Sequence, residues 1–226
     1  MTERLNKQQL KEDPLMKTTA DAADFARHHS RLLVGAAAGL LVLAAAIYFV
    51  QAGSQRANER AAGMLADARG DFQKGAYEPA ATRLEELIST SGGTAPGKQA
   101  LILYGDVRYA QGRYQDAAGY YRRAIEKFQK DPILGTAARR ALAATLENMK
   151  EYAEAAKIHE QLLTTETPGP LRTQTQLDLA RNLLRAGETD RAKTLYEEVA
   201  LNQENPLAAQ EAQLRLAEIK TAQSAG

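Results

Sequence analysis

Two short stretches of this sequence contain residue types that could carry out chemistry. The first, residues 92–99 (GGTAPGKQ), nearly matches GxxxxGK followed by Ser or Thr, a loop whose backbone N–H groups cradle nucleotide phosphates. Gln99 stands where the motif needs a hydroxyl group for Mg²⁺, and no predicted strand precedes the loop. A flexible connection between helices explains the stretch better. An ATP-dependent enzyme that uses Lys98 stays open as a third hypothesis for the function.

The second stretch begins at His159-Glu160 and opens like the zinc-binding motif HExxH. Leu163 occupies the place of the second histidine, so one of the two imidazole ligands is missing. The other two histidines, His28 and His29, lie far away near the N-terminus. We therefore predict no metal site, and we expect His159 to face the core of a helical repeat.

The remaining titratable residues do not form a recognisable acid and base pair. Carboxylates such as Glu85, Glu86, Glu197 and Glu198 lie among Lys and Arg on predicted helices, which is typical of solvated faces. The chain has no cysteine, which excludes disulfides and thiolate chemistry. We predict a protein that is not an enzyme, with no catalytic residue, no cofactor and no small-molecule substrate.

The charges are balanced behind an N-terminal tail. The 29 Lys and Arg residues include six in residues 1–31, and the 28 Asp and Glu residues include five there, so the rest of the chain carries 23 of each sign. Binding to nucleic acid requires an excess of basic residues that neutralise phosphates. A neutral chain of this kind is expected to bind no nucleic acid.

A long apolar stretch, residues 32–50, separates this tail from everything that follows. Its nineteen residues contain no charge and no proline, and a helix of this length spans about 28 Å, close to the hydrocarbon thickness of a bilayer. We predict a tail over residues 1–31, a transmembrane helix over 32–50, a water-soluble domain over 51–222 and a flexible C-terminus over 223–226.

The residues that flank the span predict its orientation. Arg27, His28, His29 and Arg31 precede it, whereas residues 51–55 are uncharged, so the positive-inside rule favours a cytoplasmic tail and an exported domain. Cleavage after Ala52, as in a signal peptide, stays an alternative, but the apolar stretch is longer than the usual signal-peptide core. Both alternatives export the domain.

Two glycines within the span, Gly35 and Gly39, form a GxxxG motif. This spacing lets two helix backbones approach closely, so it predicts a contact with another membrane helix. Alanine-rich segments produce the spacing by chance as well, and plain apolar filler is the alternative.

Behind the span the sequence repeats with a period of 37 or 38 residues. Four copies align at six positions, beginning with a small residue and continuing with a turn residue, and the period is the signature of a repeat architecture. The aligned residues are Ala68, Gly75, Tyr77, Ala80, Leu84 and Leu87; Gly105, Gly112, Tyr114, Ala117, Tyr121 and Ala124; Ala143, Lys150, Tyr152, Ala155, His159 and Leu162; and Ala180, Gly187, Thr189, Ala192, Tyr196 and Val199.

Each copy predicts two antiparallel helices joined at its turn residue. The second helix carries a small residue followed four and seven positions later by larger ones, which places all three on one face. The string from Leu103 through Tyr114 to Ala124 resembles a tetratricopeptide repeat (TPR). The resemblance implies an α-solenoid of about four helix pairs, with the extra residues in the connections 89–97, 129–134 and 164–170 and a capping helix near 206–220.

A solenoid of this kind usually binds its ligands on the concave side, which the first helix of each pair lines. Helical phase predicts a protein-binding groove, and packing between repeats is the alternative for Phe72 and Tyr109. The predicted groove residues are Arg69, Phe72, Asp106, Tyr109, Arg140, Glu147, Asn148, Arg181 and Arg185.

The layout of tail, span and repeats resembles the ancillary subunit of the bacterial Sec translocon, with residues 25–31 leading into the glycine-bearing span. This resemblance implies an all-α protein of the inner membrane with a periplasmic repeat domain. Its partners would be translocon subunits and periplasmic folding factors. Our first hypothesis is an adaptor or chaperone for exported proteins, and the second is a scaffold for envelope assembly or cell division.

Overall fold

The computed structural model describes residues 28–224, so residues 1–27 of the predicted tail lie outside it. Over the described residues every regular element is a helix, as predicted. The helices are α1 Ser30–Gln73, α2 Tyr77–Ser91, α3 Ala95–Ala110, α4 Tyr114–Lys127, α5 Leu134–Asn148, α6 Tyr152–Thr165, α7 Pro170–Arg185, α8 Thr189–Ala200 and α9 Pro206–Ser224.

The chain divides into two compact units between Arg56 and Ala57. The first unit contains the apolar stretch, and its large side chains, such as Leu40 and Phe49, are exposed. Within the described residues, α1 is the one helix long and apolar enough to cross a membrane. The second unit contains all the repeats.

Small side chains in the first helix of each pair allow a large side chain of the second helix to lie close by. Gly105 in α3 shows this most sharply, because a Cβ atom built on it would lie 2.5 Å from the ring of Tyr121 in α4. Ala143 and His159 occupy the matching places in the third pair, and both are buried, as predicted for His159. The alignment of small and large residues therefore sets the distance between paired helices.

The four turns within the pairs have the same backbone geometry. Gly75, Gly112, Lys150 and Gly187 have φ values of 76°, 72°, 61° and 87°, in the left-handed region. At each turn the N–H of this residue donates to the carbonyl three positions earlier, and the next N–H donates to the carbonyl five positions earlier. These are Schellman caps, which end the first helix where the sequence predicts.

The first and third connections between pairs are shorter than predicted, whereas the second, residues 128–133, has the predicted length. Residues 89–91 belong to α2 and residues 95–97 belong to α3, so residues 92–94 alone connect these helices. Thr94 caps α3, since its Oγ1 accepts a hydrogen bond from the N–H of Gly97 at 3.1 Å. The expectation of a connection over 89–97 is therefore wrong at both ends, and residues 95–99 of the stretch expected to be a flexible connection are helical.

The closing helix is longer than predicted. It runs to Ser224 instead of Lys220, so residues 223 and 224, which we expected to be flexible, are helical. Residues 225 and 226 lie outside the described residues. Ala208, Ala212 and Ile219 of this helix are buried against α7 and α8, whereas its exposed face mixes polar residues with Leu207 and Leu214. This helix closes the stack as a capping helix does.

Candidate protein-binding surface

The first helices of neighbouring pairs lie side by side and are joined by polar side chains. In the second and third pairs the link is a hydrogen bond that Asn148 Nδ2 in α5 donates to Tyr109 Oη in α3 at 2.9 Å. The ring of Tyr109 also packs against Tyr114 at the start of α4, with ring centroids 5.3 Å apart. The structure thus uses Tyr109 for packing between repeats, and its hydroxyl lies on the surface formed by α3 and α5.

A denser polar cluster joins the third and fourth pairs around Glu147 at the end of α5. Asn182 Nδ2 in α7 donates to Glu147 Oε1 at 2.7 Å, and the Nε2 atom of His159 lies 3.4 Å from the same oxygen. Arg181 lies 3.7 Å from the second oxygen of Glu147 and pairs at 2.6 Å with Asp178, one turn earlier in α7. We call these five side chains the Glu147 cluster.

The charge on Glu147 is stabilised by its neighbours. Burial by itself raises the pKa of this carboxyl, but hydrogen bonds from His159 and Asn182 and the positive charge of Arg181 outweigh burial, so the pKa lies below its ordinary value. Glu147 is therefore ionised at neutral pH. It presents its carboxylate in a fixed position, because donors from two other helices hold it.

Arg140, near the start of α5, forms a second link to the fourth pair. Its guanidinium contacts Glu166, which follows α6, and donates to Thr175 Oγ1 in α7 at 2.8 Å. The Glu166 side chain is almost fully buried, so this ion pair is shielded from solvent. Arg140 therefore holds the third and fourth pairs together and has little freedom to bind a ligand directly.

Asp106 in α3 plays a similar structural part within the second pair. The hydroxyl of Tyr121 in α4 donates to Asp106 Oδ1 at 2.7 Å. Burial raises the pKa of Asp106, and burial together with the negative charge of Asp106 raises the pKa of Tyr121. Both groups lie at the edge of the core rather than in open solvent.

The other three predicted groove residues differ in their surroundings. Phe72 is partly buried against the core of the first pair, with its ring centroid 5.8 Å from that of Tyr77. Arg185 is exposed and lies over the ring of Tyr152 at 5.4 Å. Arg69 is exposed on α1. Arg69 and Arg185 thus keep a cationic group available to a ligand.

The structure brings together four of the nine predicted groove residues, in two adjoining contacts. Tyr109 with Asn148, and Glu147 with Arg181, meet across the gaps between first helices. Sequence reasoning missed Asn182 and Asp178, which complete the Glu147 cluster. The sequence did contain a signal for Asn182. This polar residue occupies the same position in the fourth copy of the repeat as the apolar Val107 in the second copy.

The two stretches that could carry out chemistry have surroundings that differ from those of the motifs they resemble. Among the described residues no group of three or more His, Cys, Asp or Glu side chains could hold a metal ion. Glu160, the second residue of the HExxH-like stretch, pairs with Arg191 at 2.5 Å. The stretch that resembles a phosphate-binding loop follows a helix, and Pro96 removes one backbone N–H that such a loop would need.

Family models agree with the helix pairs. Residues 60–132 and 177–224 match a tetratricopeptide repeat model, and residues 138–172 match a second model of the same description. None of the curated proteins compared with this sequence matches it.

Solved structures of repeat proteins have the same fold. The nearly identical TPR-like repeats based on a Podosopora anserina kinesin light chain candidate superpose with a TM-score of 0.58 at 20% identity, covering 74% of this chain and 88% of theirs. The MamA RS-1 ArsTM double mutant superposes with a TM-score of 0.53 at 15% identity, covering 74% of this chain and 97% of the other. BtubC (BKLC) from P. vanneervenii superposes with a TM-score of 0.50 at 16% identity, covering 70% of this chain and 61% of the other. The chain belongs to the tetratricopeptide repeat family, whose typical role is to bind other proteins.

Proposed function

We propose that this protein is a membrane-anchored, non-enzymatic adaptor or chaperone whose repeat domain binds other proteins at the Sec translocon and assists exported chains. The observation that carries the proposal is the polar surface formed by α3, α5 and α7. Its side chains are held in place by hydrogen bonds between repeats, so a ligand would meet a preorganised surface, which lowers the entropic cost of binding. The apolar part of α1 supports the anchor.

The chemistry of this surface favours a peptide segment over a small molecule. It offers a fixed carboxylate at Glu147, exposed cations at Arg69 and Arg185, and the hydroxyl of Tyr109. These groups are spread over four helices of neighbouring pairs, and an extended polypeptide with polar groups along its length can contact such a row. The opposite charges do not favour a strongly acidic or strongly basic partner.

The assignment to the translocon rests on the layout of the chain. A short tail, a single apolar helix and repeats that continue to the end resemble the ancillary subunit of the bacterial Sec translocon. In that arrangement the tail is cytoplasmic and the repeat domain lies on the far side of the inner membrane. Fold alone does not select a partner, so the partner must be identified by experiment.

Site-specific photocrosslinking in native membranes tests this assignment. A photoreactive amino acid at Tyr109, Asn148 or Arg181 should capture translocon subunits, periplasmic folding factors or exported chains, identified by mass spectrometry. The matched control is Lys157, which is exposed on the second helix of the third pair. Capture of division or outer-envelope proteins alone would refute the translocon role and favour the scaffold hypothesis.

The scaffold hypothesis has one observation in its favour. Gly35 and Gly39 are exposed in α1, and a Cβ atom built on either meets nothing within 4 Å among the described residues. A second membrane helix could therefore approach this face. Replacing Gly39 with Leu should weaken self-association of the full chain in detergent or bilayers if the scaffold hypothesis is right. An unchanged oligomeric state would count against this helix contact.

A further inference from the structure

An open cleft of about 690 Å³ lies between two consecutive connections of the repeat domain. Its walls are the connection before α5, at residues 129–132, the start of α5 at Thr136 and Arg139, and the connection from α6 into α7, at residues 165–171. The volume falls within the range of about 300–1,000 Å³ that is typical of ligand sites. None of the nine predicted groove residues lines this cleft, so it is a separate surface.

Two cationic side chains of the cleft have no partner. Lys130 and Arg139 form no ion pair or hydrogen bond with any residue that the structure describes. Arg139 is half-buried, and a Cβ atom built on Gly135 would lie 3.2 Å from its Nη1 atom, so the guanidinium lies over the first turn of α5. Positive charge is unfavourable at the N-terminal end of a helix. An anion bound in the cleft would relieve this repulsion.

The two carboxylates of the cleft are already engaged by the protein. Asp131 Oδ1 accepts hydrogen bonds of 2.9 Å from the N–H groups of Ile133 and Leu134, so Asp131 caps the start of α5. Glu166 contacts the guanidinium of Arg140, and its side chain is almost fully buried. Because neither carboxylate pairs with the two cations of the cleft, these cations remain available to a ligand.

The wall formed by the connection into α7 adds hydrogen-bonding groups and an apolar surface. Gly169 precedes α7, and no side chain caps this helix. The second carboxylate oxygen of Glu166 is buried and has no hydrogen-bond donor among the described residues. Leu171 is 57% exposed and lies in this wall with Pro168. A ligand that suits the wall therefore has hydrogen-bond donors and an apolar group in addition to a negative charge.

We propose that the cleft binds a polypeptide segment in which an acidic side chain stands next to an apolar one. The acidic side chain pairs with Lys130 and Arg139, the apolar side chain covers Leu171, and a backbone N–H group supplies the donor that Glu166 lacks. A free inorganic anion meets only the first of these requirements. The cleft is thus a second contact for a protein partner, apart from the surface formed by α3, α5 and α7, and it does not depend on the translocon assignment.

Binding of short peptides to the full chain in detergent micelles tests this proposal. The probe is the peptide GSLELESG with an N-terminal fluorescein and an amidated C-terminus, and fluorescence anisotropy measures its Kd. GSLQLQSG lacks the carboxylates, and GSGEGESG lacks the apolar side chains. We expect the probe to bind about fivefold more tightly than either, as two exposed ion pairs or one apolar contact allow.

Two results with these peptides would overturn the proposal. Absent binding of the probe, or equal binding of the probe and GSLQLQSG, would show that the cations of the cleft do not select an acidic segment. Equal binding of the probe and GSGEGESG, with displacement of both by inorganic phosphate, would show a general anion site instead of a polypeptide site.

A change of charge within the cleft separates binding from folding. Thr136→Glu adds a carboxylate at the start of α5, and Thr136→Gln adds a neutral side chain of nearly the same shape. An acidic residue in the first turn stabilises a helix, so the glutamate variant should unfold at no lower temperature than the glutamine variant. It should bind the probe about fivefold more weakly. Equal affinity of the two variants would place the peptide outside the cleft and overturn the proposal.

Removal of the two cations tests their role directly. The double variant Lys130→Gln, Arg139→Gln should bind the probe about fivefold more weakly than the unchanged protein. The matched control is Lys74→Gln, Lys157→Gln, which removes the same charge at two exposed positions outside the cleft. Equal weakening in both double variants would show that overall charge, and not the cleft, attracts the peptide.

Photocrosslinking in native membranes separates failure of the cleft from failure of the proposed function. A photoreactive residue at Thr167, which is exposed in the cleft wall, is compared with one at Tyr109 on the surface formed by α3, α5 and α7. We expect both positions to capture a protein partner. Capture from Tyr109 alone would leave the proposed function standing and contradict the cleft as a second contact. Capture from neither position would contradict both proposals.

Discussion

Replacing Lys150 with glycine should stabilise the repeat domain. Lys150 has a φ of 61° at a turn where the other three pairs place glycine at similar angles. A non-glycine residue in the left-handed region costs about 1–2 kcal/mol, because its Cβ atom crowds the following carbonyl oxygen. Glycine removes this cost, and both hydrogen bonds of the cap come from the backbone and remain.

The expected gain follows from two opposing terms. Relief of the left-handed conformation contributes about 1–2 kcal/mol, and the greater freedom of glycine in the unfolded chain costs about 0.4–1 kcal/mol. The net increase in the free energy of unfolding should be about 1 kcal/mol. For a domain of this size that corresponds to a rise in Tm of about 2–4 °C. Thermal and urea unfolding followed by far-UV circular dichroism measure both quantities.

The matched control is Gly112→Ala at the equivalent turn. A Cβ atom at Gly112 meets nothing within 4 Å, so this change tests the conformational cost alone, and it should lower the free energy of unfolding by about 1 kcal/mol. The reasoning would be refuted if Lys150→Gly destabilised the protein while Gly112→Ala behaved as expected. In that case the side chain of Lys150 would make a contribution larger than its backbone strain.

Three further changes test the packing within and between repeats. Gly105→Ala should cost about 1–3 kcal/mol in urea unfolding, since the new Cβ atom overlaps the ring of Tyr121, whereas Gly119→Ala at an exposed helical position should not destabilise. Glu147→Gln should destabilise at neutral pH, and its difference from wild type should shrink as the pH falls below 4.5, because protonation removes the charge whose folded-state pKa is lowered. If the difference in the free energy of unfolding between Glu147→Gln and wild type stayed constant across the pH series, the lowered pKa of Glu147 would be contradicted. Tyr109→Phe should cost about 0.5–1.5 kcal/mol by removing the hydrogen bond between α3 and α5.

The helix pairs could be predicted because local residue types determine them. A small residue opposite a large one, as at Gly105 and Tyr121, sets the spacing of a pair, and glycine marks the turn that ends the first helix. Lys150 fits the same turn although its side chain disfavours it, because the flanking helices and the two backbone hydrogen bonds of the cap hold it there. Because the four copies agree at most aligned positions, the alignment of the repeats is clear even at Lys150, where the third copy lacks the glycine of the other three.

The connections and the polar surface were less predictable, for different reasons. Residues 89–97 look like a connection because they are rich in Gly, Ser and Thr, yet Thr94 and Pro96 form a helix start within them. The 3.6-residue period places Glu147 and Arg181 on the correct faces. The period does not determine the angle between neighbouring helix pairs. That angle brings Asn182 into contact with Glu147, although the two residues are 35 positions apart in the sequence. Contacts between repeats therefore required the structure.

The measurement that tests the central claim most directly compares two faces of the repeat domain in native membranes. Photoreactive residues at Arg69 and Arg185, both exposed on first helices, are set against Lys157 and Lys193, both exposed on second helices. An adaptor that binds proteins on the first-helix surface predicts discrete crosslinked partners from Arg69 and Arg185 and none from the two lysines. Equal crosslinking from all four positions, or adducts from the lysines alone, would contradict the account.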